Sequence, residues 1–231
     1  MVKRHDYASR EDLAKALALS VSSVLADGIE THGSAVLVVS GGSTPAMFFA
    51  QLSQCEIPWD KVSIVLVDER IVPPDHDRAN AKLVADKLMI NRAAAAHFEP
   101  FAVDAATPEE CATLSGAQLE QLTRHIDVLI LGMGTDGHTA SFFPGGDNLT
   151  AALDLEGKAS VIPMRAQGAG EPRLTLTLPT VLDARFLALH IEGAEKQSVL
   201  QEALSGGDAY QMPIRAVFQN TKKPIEIFWA L

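Results

Sequence analysis

Basic residues are in deficit. The 231-residue chain holds 19 lysines and arginines against 29 aspartates and glutamates, a formal net charge of −10. That imbalance argues against nucleic acid and anionic membranes as partners. A small anionic ligand remains possible only where a few basic side chains and oriented backbone amides build a local site. Cysteine is nearly absent. Cys55 and Cys111 sit in unrelated contexts, which implies neither a disulfide framework nor a metal knuckle and fits a reducing, cytoplasmic setting. Long hydrophobic runs are missing as well: segments such as Ala35–Val39 are far too short to span a bilayer. Lys3, Arg4, His5 and Asp6 offer no signal-peptide core and are expected to lead straight into a polar helix start. Repeats, low-complexity tracts and charge blocks are also lacking.

What is present is an ordinary globular composition, 47% hydrophobic and 21% charged, with length enough for a sizeable core. Ser9 followed by Asp12 predicts a capped amphipathic helix over residues 10–32. Buried strands are expected at 35–39, 62–67, 127–131, 173–178, 186–191 and 225–229. Helices are expected after Pro45 and over 80–90, 108–124 and 193–204. Strands alternating with helices predict an α/β fold with a doubly wound, mostly parallel sheet. The Gly- and Pro-containing stretch 144–172 is the one place for an excursion from it. Residues 1–231 are read as a single domain, a monomer or weak homo-oligomer.

In open α/β sheets ligands bind beyond the carboxyl ends of the strands, so the residues following each strand locate the site. Ser40-Gly41-Gly42-Ser43-Thr44-Pro45 follows the first strand of that series. Gly41 and Gly42 permit close backbone approach and Thr44 is placed to cap the next helix, as an anion cradle requires. An ordinary strand–turn–helix has the same composition, and the loop lacks the ending of a nucleotide-binding loop. Asp68-Glu69-Arg70 follows the second strand, and Glu192-Gly193-Ala194-Glu195-Lys196 a later one. Arg70, Arg173 and Lys196 are candidate partners for phosphate or an oxyanion, and Asp68 for sugar hydroxyls.

Gly132-Met133-Gly134-Thr135-Asp136-Gly137-His138 matches a dinucleotide fingerprint, but the context fails. The short helix expected after it meets Pro144 within about two turns, and no acidic strand end follows at the ribose-binding distance. No nicotinamide cofactor is expected. An ionisable Asp136 and His138 inside a glycine turn suit proton transfer better, with the carboxylate orienting the imidazole. The other six histidines lack comparable surroundings in the sequence. No second or third ligand recurs at the spacing of a metal site.

The strings SGGSTP at 40–45, VDERIVP at 67–73 with Asn80 after it, LGMGTDGHTASFFPG at 131–145, RLTLTLP at 173–179 and EGAEK at 192–196 resemble those of 6-phosphogluconolactonases in order and spacing. The 131–145 string is the most specific. The resemblance implies a Rossmann-like fold shared with glucosamine-6-phosphate deaminases. It implies hydrolysis of 6-phospho-D-glucono-1,5-lactone, a sugar phosphate substrate, and no cofactor. It makes His138 the general acid–base, Asp136 its neighbour and Arg70 an active-site cation. Gly41, Gly42, Ser43, Thr44, Arg173 and Lys196 match positions surrounding the sugar phosphate. Deaminases carry a Glu before the proline that follows their Asp-Gly-His, where it takes part in ring opening. Here Phe143 stands in that place. A deaminase and a non-catalytic sugar-phosphate sensor are the rival readings.

Overall fold

The computed structural model describes residues 2–231. Ten strands appear: β1 (Val2–Tyr7), β2 (Ala35–Val39), β3 (Val62–Leu66), β4 (Asp68–Arg70), β5 (His97–Glu99), β6 (Val128–Leu131), β7 (Val161–Met164), β8 (Arg173–Leu176), β9 (Phe186–Glu192) and β10 (Ile225–Ala230). Between them lie α1 (Arg10–His32), α2 (Ala46–Leu52), α3 (Asn80–Lys87), α4 (Pro108–Thr123), α5 (Leu149–Leu153), α6 (Leu178–Asp183), α7 (Ala194–Leu204) and α8 (Ile214–Asn220).

Seven strands form one sheet in the order β1-β10-β9-β6-β2-β3-β5, and all of its ladders are parallel. The chain leaves β2 toward β3 and β5, then returns to β6 on the other side of β2. The crevice between the C-terminal ends of β2 and β6 is therefore the topological switch point where α/β sheets bind ligands. β2 and β6 are buried at every residue, as continuous Val, Leu and Ile runs in a sheet covered on both faces should be. The sheet and its helices share one contiguous hydrophobic core.

Helix ends follow local chemistry. The Ser9 side chain accepts from the Asp12 amide at 3.1 Å to cap α1, and Thr107 does the same for Glu110 ahead of α4. Each satisfies an amide that no helical carbonyl can reach.

Three expectations need correction. Val2–Tyr7 is a strand on β10, in register from Val2↔Ile225 to Tyr7↔Ala230, because sheet pairing overrides the polar pattern of its side chains. Residues 173–176 lie outside the parallel sheet, in a three-stranded antiparallel sheet of order β4-β8-β7. The excursion over 144–172 supplies its edge strand β7, and β8 lies in the middle between β7 and β4. The helix expected directly after His138 does not form, since Ala140 turns with a φ of 49° and the next helix begins at Leu149. Among the described residues no helix is long and apolar enough to cross a membrane.

Candidate active site

A cleft of about 290 Å³ opens at the switch point, lined by Gly41 to Thr44, Asp68, Arg70, His138, Arg173 and Lys196 among others. Nine of the ten candidate residues from the sequence line it. The tenth, Asp136, touches His138. Ser40 bolts the crevice together, its hydroxyl donating to the Ile130 carbonyl at 2.9 Å and accepting from the Gly132 amide at 3.2 Å.

The turn 134–138 is folded around the histidine. The Gly134 amide donates to the His138 carbonyl at 2.8 Å. Asp136 Oδ1 accepts from the His138 amide at 3.0 Å and stands 2.6 Å from its Nδ1. A carboxylate only accepts, so Nδ1 carries the proton and Nε2 is left as the basic nitrogen of a side chain that lines the cleft. A Cβ on Gly134 would lie 2.1 Å from Nδ1 and 2.5 Å from the carboxylate. The imidazole–carboxylate pair thus occupies space that any side chain at 134 would fill. Burial tends to raise the Asp136 pKa, but the His138 amide and imidazole outweigh it and hold the carboxyl below its ordinary value. The His138 ring packs on Phe143 at 4.6 Å between centroids.

The small sheet explains how Arg70 and Arg173 meet. Val67 leaves β3 and hands the chain to β4, its amide bonding to the Val39 carbonyl while its carbonyl accepts from Leu176. Antiparallel pairing then sets Asp68 opposite Thr175 and Arg70 opposite Arg173. Like charges directly opposite across a ladder repel, and an anion between them relieves that repulsion. Arg173 is largely buried beside Asp68, 3.7 Å from Oδ2, with its Nε lacking any partner. Desolvation lowers its pKa, against the pull of Asp68. Asp68 is fixed in turn by the Ser141 hydroxyl, which donates to it at 2.6 Å. On the opposite rim, desolvation lowers the pKa of Lys196 while Glu195 and Asp136 oppose it.

The roles of several residues escaped the sequence reading. Glu69, buried, accepts from the amides of Arg70, Asn80 and Ala81 at 2.6, 2.8 and 2.7 Å, so it knots β4 to the start of α3. Desolvation raises its pKa, and those three amides oppose the rise. Asn80 accepts from Arg70 Nη1 at 3.1 Å and donates to the Asp68 carbonyl at 2.8 Å. Its amide group fills the place of a Cβ on Gly41, only 1.9 Å away. Gly41 is therefore required by Asn80 as well as by any ligand. Thr44 makes no cap: α2 starts behind Pro45 with no side-chain hydrogen bond, which leaves the Thr44 side chain at the cleft wall. His138 is not alone in having a carboxylate partner. His190 also lines the cleft, 3.3 Å from Glu192, and His5 pairs with Glu226 at 2.6 Å. The His-x-Glu spacing of 190–192 was the signal that could have revealed the first of these.

Fold and cleft together define an α/β protein that gathers cationic side chains and an imidazole at the switch point of its sheet. The family model described as glucosamine-6-phosphate isomerases/6-phosphogluconolactonase matches residues 8–229, and the chain belongs to that family. It is 50% identical over 226 residues to the 6-phosphogluconolactonase of Rhizobium meliloti, covering 98% of this chain and 97% of that one. It is 39% identical to the 6-phosphogluconolactonase of Pseudomonas aeruginosa, over 96% and 92%. The crystal structure of a 6-phosphogluconolactonase from Shewanella baltica superposes with a TM-score of 0.97 at 37% identity, covering 100% of this chain and 98% of that one. A monomeric glucosamine-6-phosphate deaminase, 18% identical with a TM-score of 0.79, over 99% and 97%, shares the fold. Within the family the chain is an enzyme of the lactonase branch.

Proposed function

We propose that this chain hydrolyses 6-phospho-D-glucono-1,5-lactone to 6-phospho-D-gluconate, the second step of the oxidative pentose phosphate pathway, with His138 activating the water. The observation that carries this reading is the 2.6 Å contact of His138 Nδ1 with Asp136, which leaves Nε2 as the basic nitrogen of a residue that lines one cleft with Arg70, Arg173 and Lys196. The phosphate lies among Gly41, Gly42, Ser43, Thr44, Arg173 and Lys196, and Asp68 accepts from sugar hydroxyls. Nε2 takes a proton from water as the water oxygen attacks the lactone carbonyl carbon. Arg70 and glycine-turn amides stabilise the oxyanion that develops. The protonated imidazole then returns the proton to the departing ring oxygen, so no protein nucleophile and no covalent intermediate are required. Phosphate binding contributes orientation. Residues 1–231 act as one catalytic unit, a reading supported by the single core cluster and the 8–229 match.

The test is the hydrolysis rate of freshly made phosphogluconolactone with and without protein, corrected for spontaneous opening. His138→Ala should fold normally and lose roughly 10²–10⁴-fold in kcat, the scale of a positioned acid–base. Wild-type kcat in a folded variant removes His138 from the mechanism.

A further inference from the structure

The cleft of an anion-binding enzyme contains a second carboxylate that the mechanism does not use. Glu192 ends β9 and lines the cleft four residues before Lys196. Its side chain is only 11% exposed, so it is mostly desolvated, and a negative charge there disfavours a phosphorylated substrate unless it meets hydrogen-bond donors of that substrate. Its own protein contacts are loose. His190 Nε2 donates to Oε1 at 3.3 Å, and Arg10 Nε stands 3.4 Å from Oε2.

Glu226, on the neighbouring strand β10, shows what a satisfied carboxylate looks like here. Lys3 and His5 hold it at 2.9 and 2.6 Å, and it does not line the cleft. An ionised carboxylate has about four acceptor positions, so two long contacts leave Glu192 with capacity facing the cleft. His190 is the buried support: it is 3% exposed, and its ring meets Phe48 edge-on at 6.0 Å. Arg10 is half exposed, its Nε donating to the Leu231 carbonyl at 3.1 Å.

We propose that Glu192, oriented by His190 and Arg10, is a specificity-determining residue that accepts a hydrogen bond from a ring hydroxyl of the sugar phosphate. The proposal rests on the lactonase reading above. Sites built to bond a hydroxyl reject analogues that lack it, because their buried acceptor is left unpaired. His190 and Arg10 are positioning residues that act through the carboxylate.

The experiment compares wild type, Glu192→Gln, Glu192→Ala and His190→Gln on the parent lactone and on phosphorylated lactones each lacking one ring hydroxyl. Hydrogen bonds to charged groups correspond to about 10- to 100-fold. The Glu192 variants should lose that factor in kcat/KM on the parent, with His190→Gln intermediate. On one deoxy analogue the same substitutions should cost less than about threefold, since the bond is already gone. Equal losses on every analogue would mark a purely structural role and overturn the proposal, as would an undiminished rate on the parent. Glu192→Gln keeps the side-chain size and decides the matter should Glu192→Ala unfold. A wild-type protein inactive on the parent lactone would instead sink the lactonase reading itself, so the two failures are distinguishable.

Discussion

Asp136 and His138 are two residues apart, and their 2.6 Å contact depends on having no side chain at Gly134. Asp136→Asn removes the negative charge while keeping the shape. An Asn amide oxygen can still accept from Nδ1, but without the negative charge that stabilises the imidazolium formed when Nε2 takes up a proton. The expected result is a fall in kcat of tenfold or more, within the roughly 10²–10⁴-fold that a positioned acid–base supplies. Asp136 itself is held below the ordinary carboxylate range. Its pairing energy is therefore present above that range and lost only as pH falls through the depressed value. A folded variant with the wild-type kcat would show the carboxylate to be a bystander.

At the scale of elements, β4 is only three residues long, yet it carries Asp68 and Arg70. Its position is held less by its ladder than by Glu69, whose carboxylate gathers three amides. Glu69→Gln replaces one accepting oxygen with a donor that faces an amide, stranding a buried N–H at about 1–3 kcal/mol. Urea unfolding should register that loss at neutral pH. The pH dependence has a definite sign. Burial raises the folded pKa of Glu69 above its unfolded value, so the native state binds this proton more tightly. The contribution of Glu69 to stability falls as pH rises from the ordinary carboxylate range through the raised folded value. The Gln variant lacks that slope, and its deficit relative to wild type should be largest at the acid end. A deficit that grows with pH would contradict this account.

For the whole molecule, the net charge of −10 is reconciled with an anionic substrate by gathering Arg70, Arg173 and Lys196 at one cleft. Arg173→Ala and Lys196→Ala should mainly raise KM, by about tenfold for each 1.4 kcal/mol of charge-assisted binding lost. An unphosphorylated gluconolactone should be nearly indifferent to either change. Equal effects on both substrates would remove these residues from the phosphate site. The choice between reactions rests on Phe143, whose ring lies 4.6 Å from that of His138 and 5.5 Å under the Arg173 guanidinium. A deaminase needs a carboxylate near its histidine, and Phe143 cannot exchange a proton. The protein should release no ammonia from glucosamine 6-phosphate. Phe143→Glu should weaken lactone hydrolysis without creating an efficient deaminase, and an ammonia assay on both forms checks each half.

The parallel sheet and the turn that pairs His138 with Asp136 were legible in the sequence because both are encoded locally. Unbroken Val, Leu and Ile runs can be satisfied only in a covered sheet, and Gly134, Asp136 and His138 lie within one turn. The locations of Arg70, Lys196 and the glycine loop followed from the rule that strand ends converge on the switch point. What lay outside that reach was set by pairing between distant segments. Val2–Tyr7 is a strand because β10 lies beside it, although its polar side chains suggested otherwise. Arg173 reaches Arg70 through an antiparallel ladder spanning some hundred residues of chain. Glu69, Asn80 and the His190–Glu192 pair draw their roles from backbone amides and a cleft wall that exist only once the chain has folded. A sequence states which groups are available, but a hydrogen bond between remote residues forms only where packing leaves no room for water to take its place.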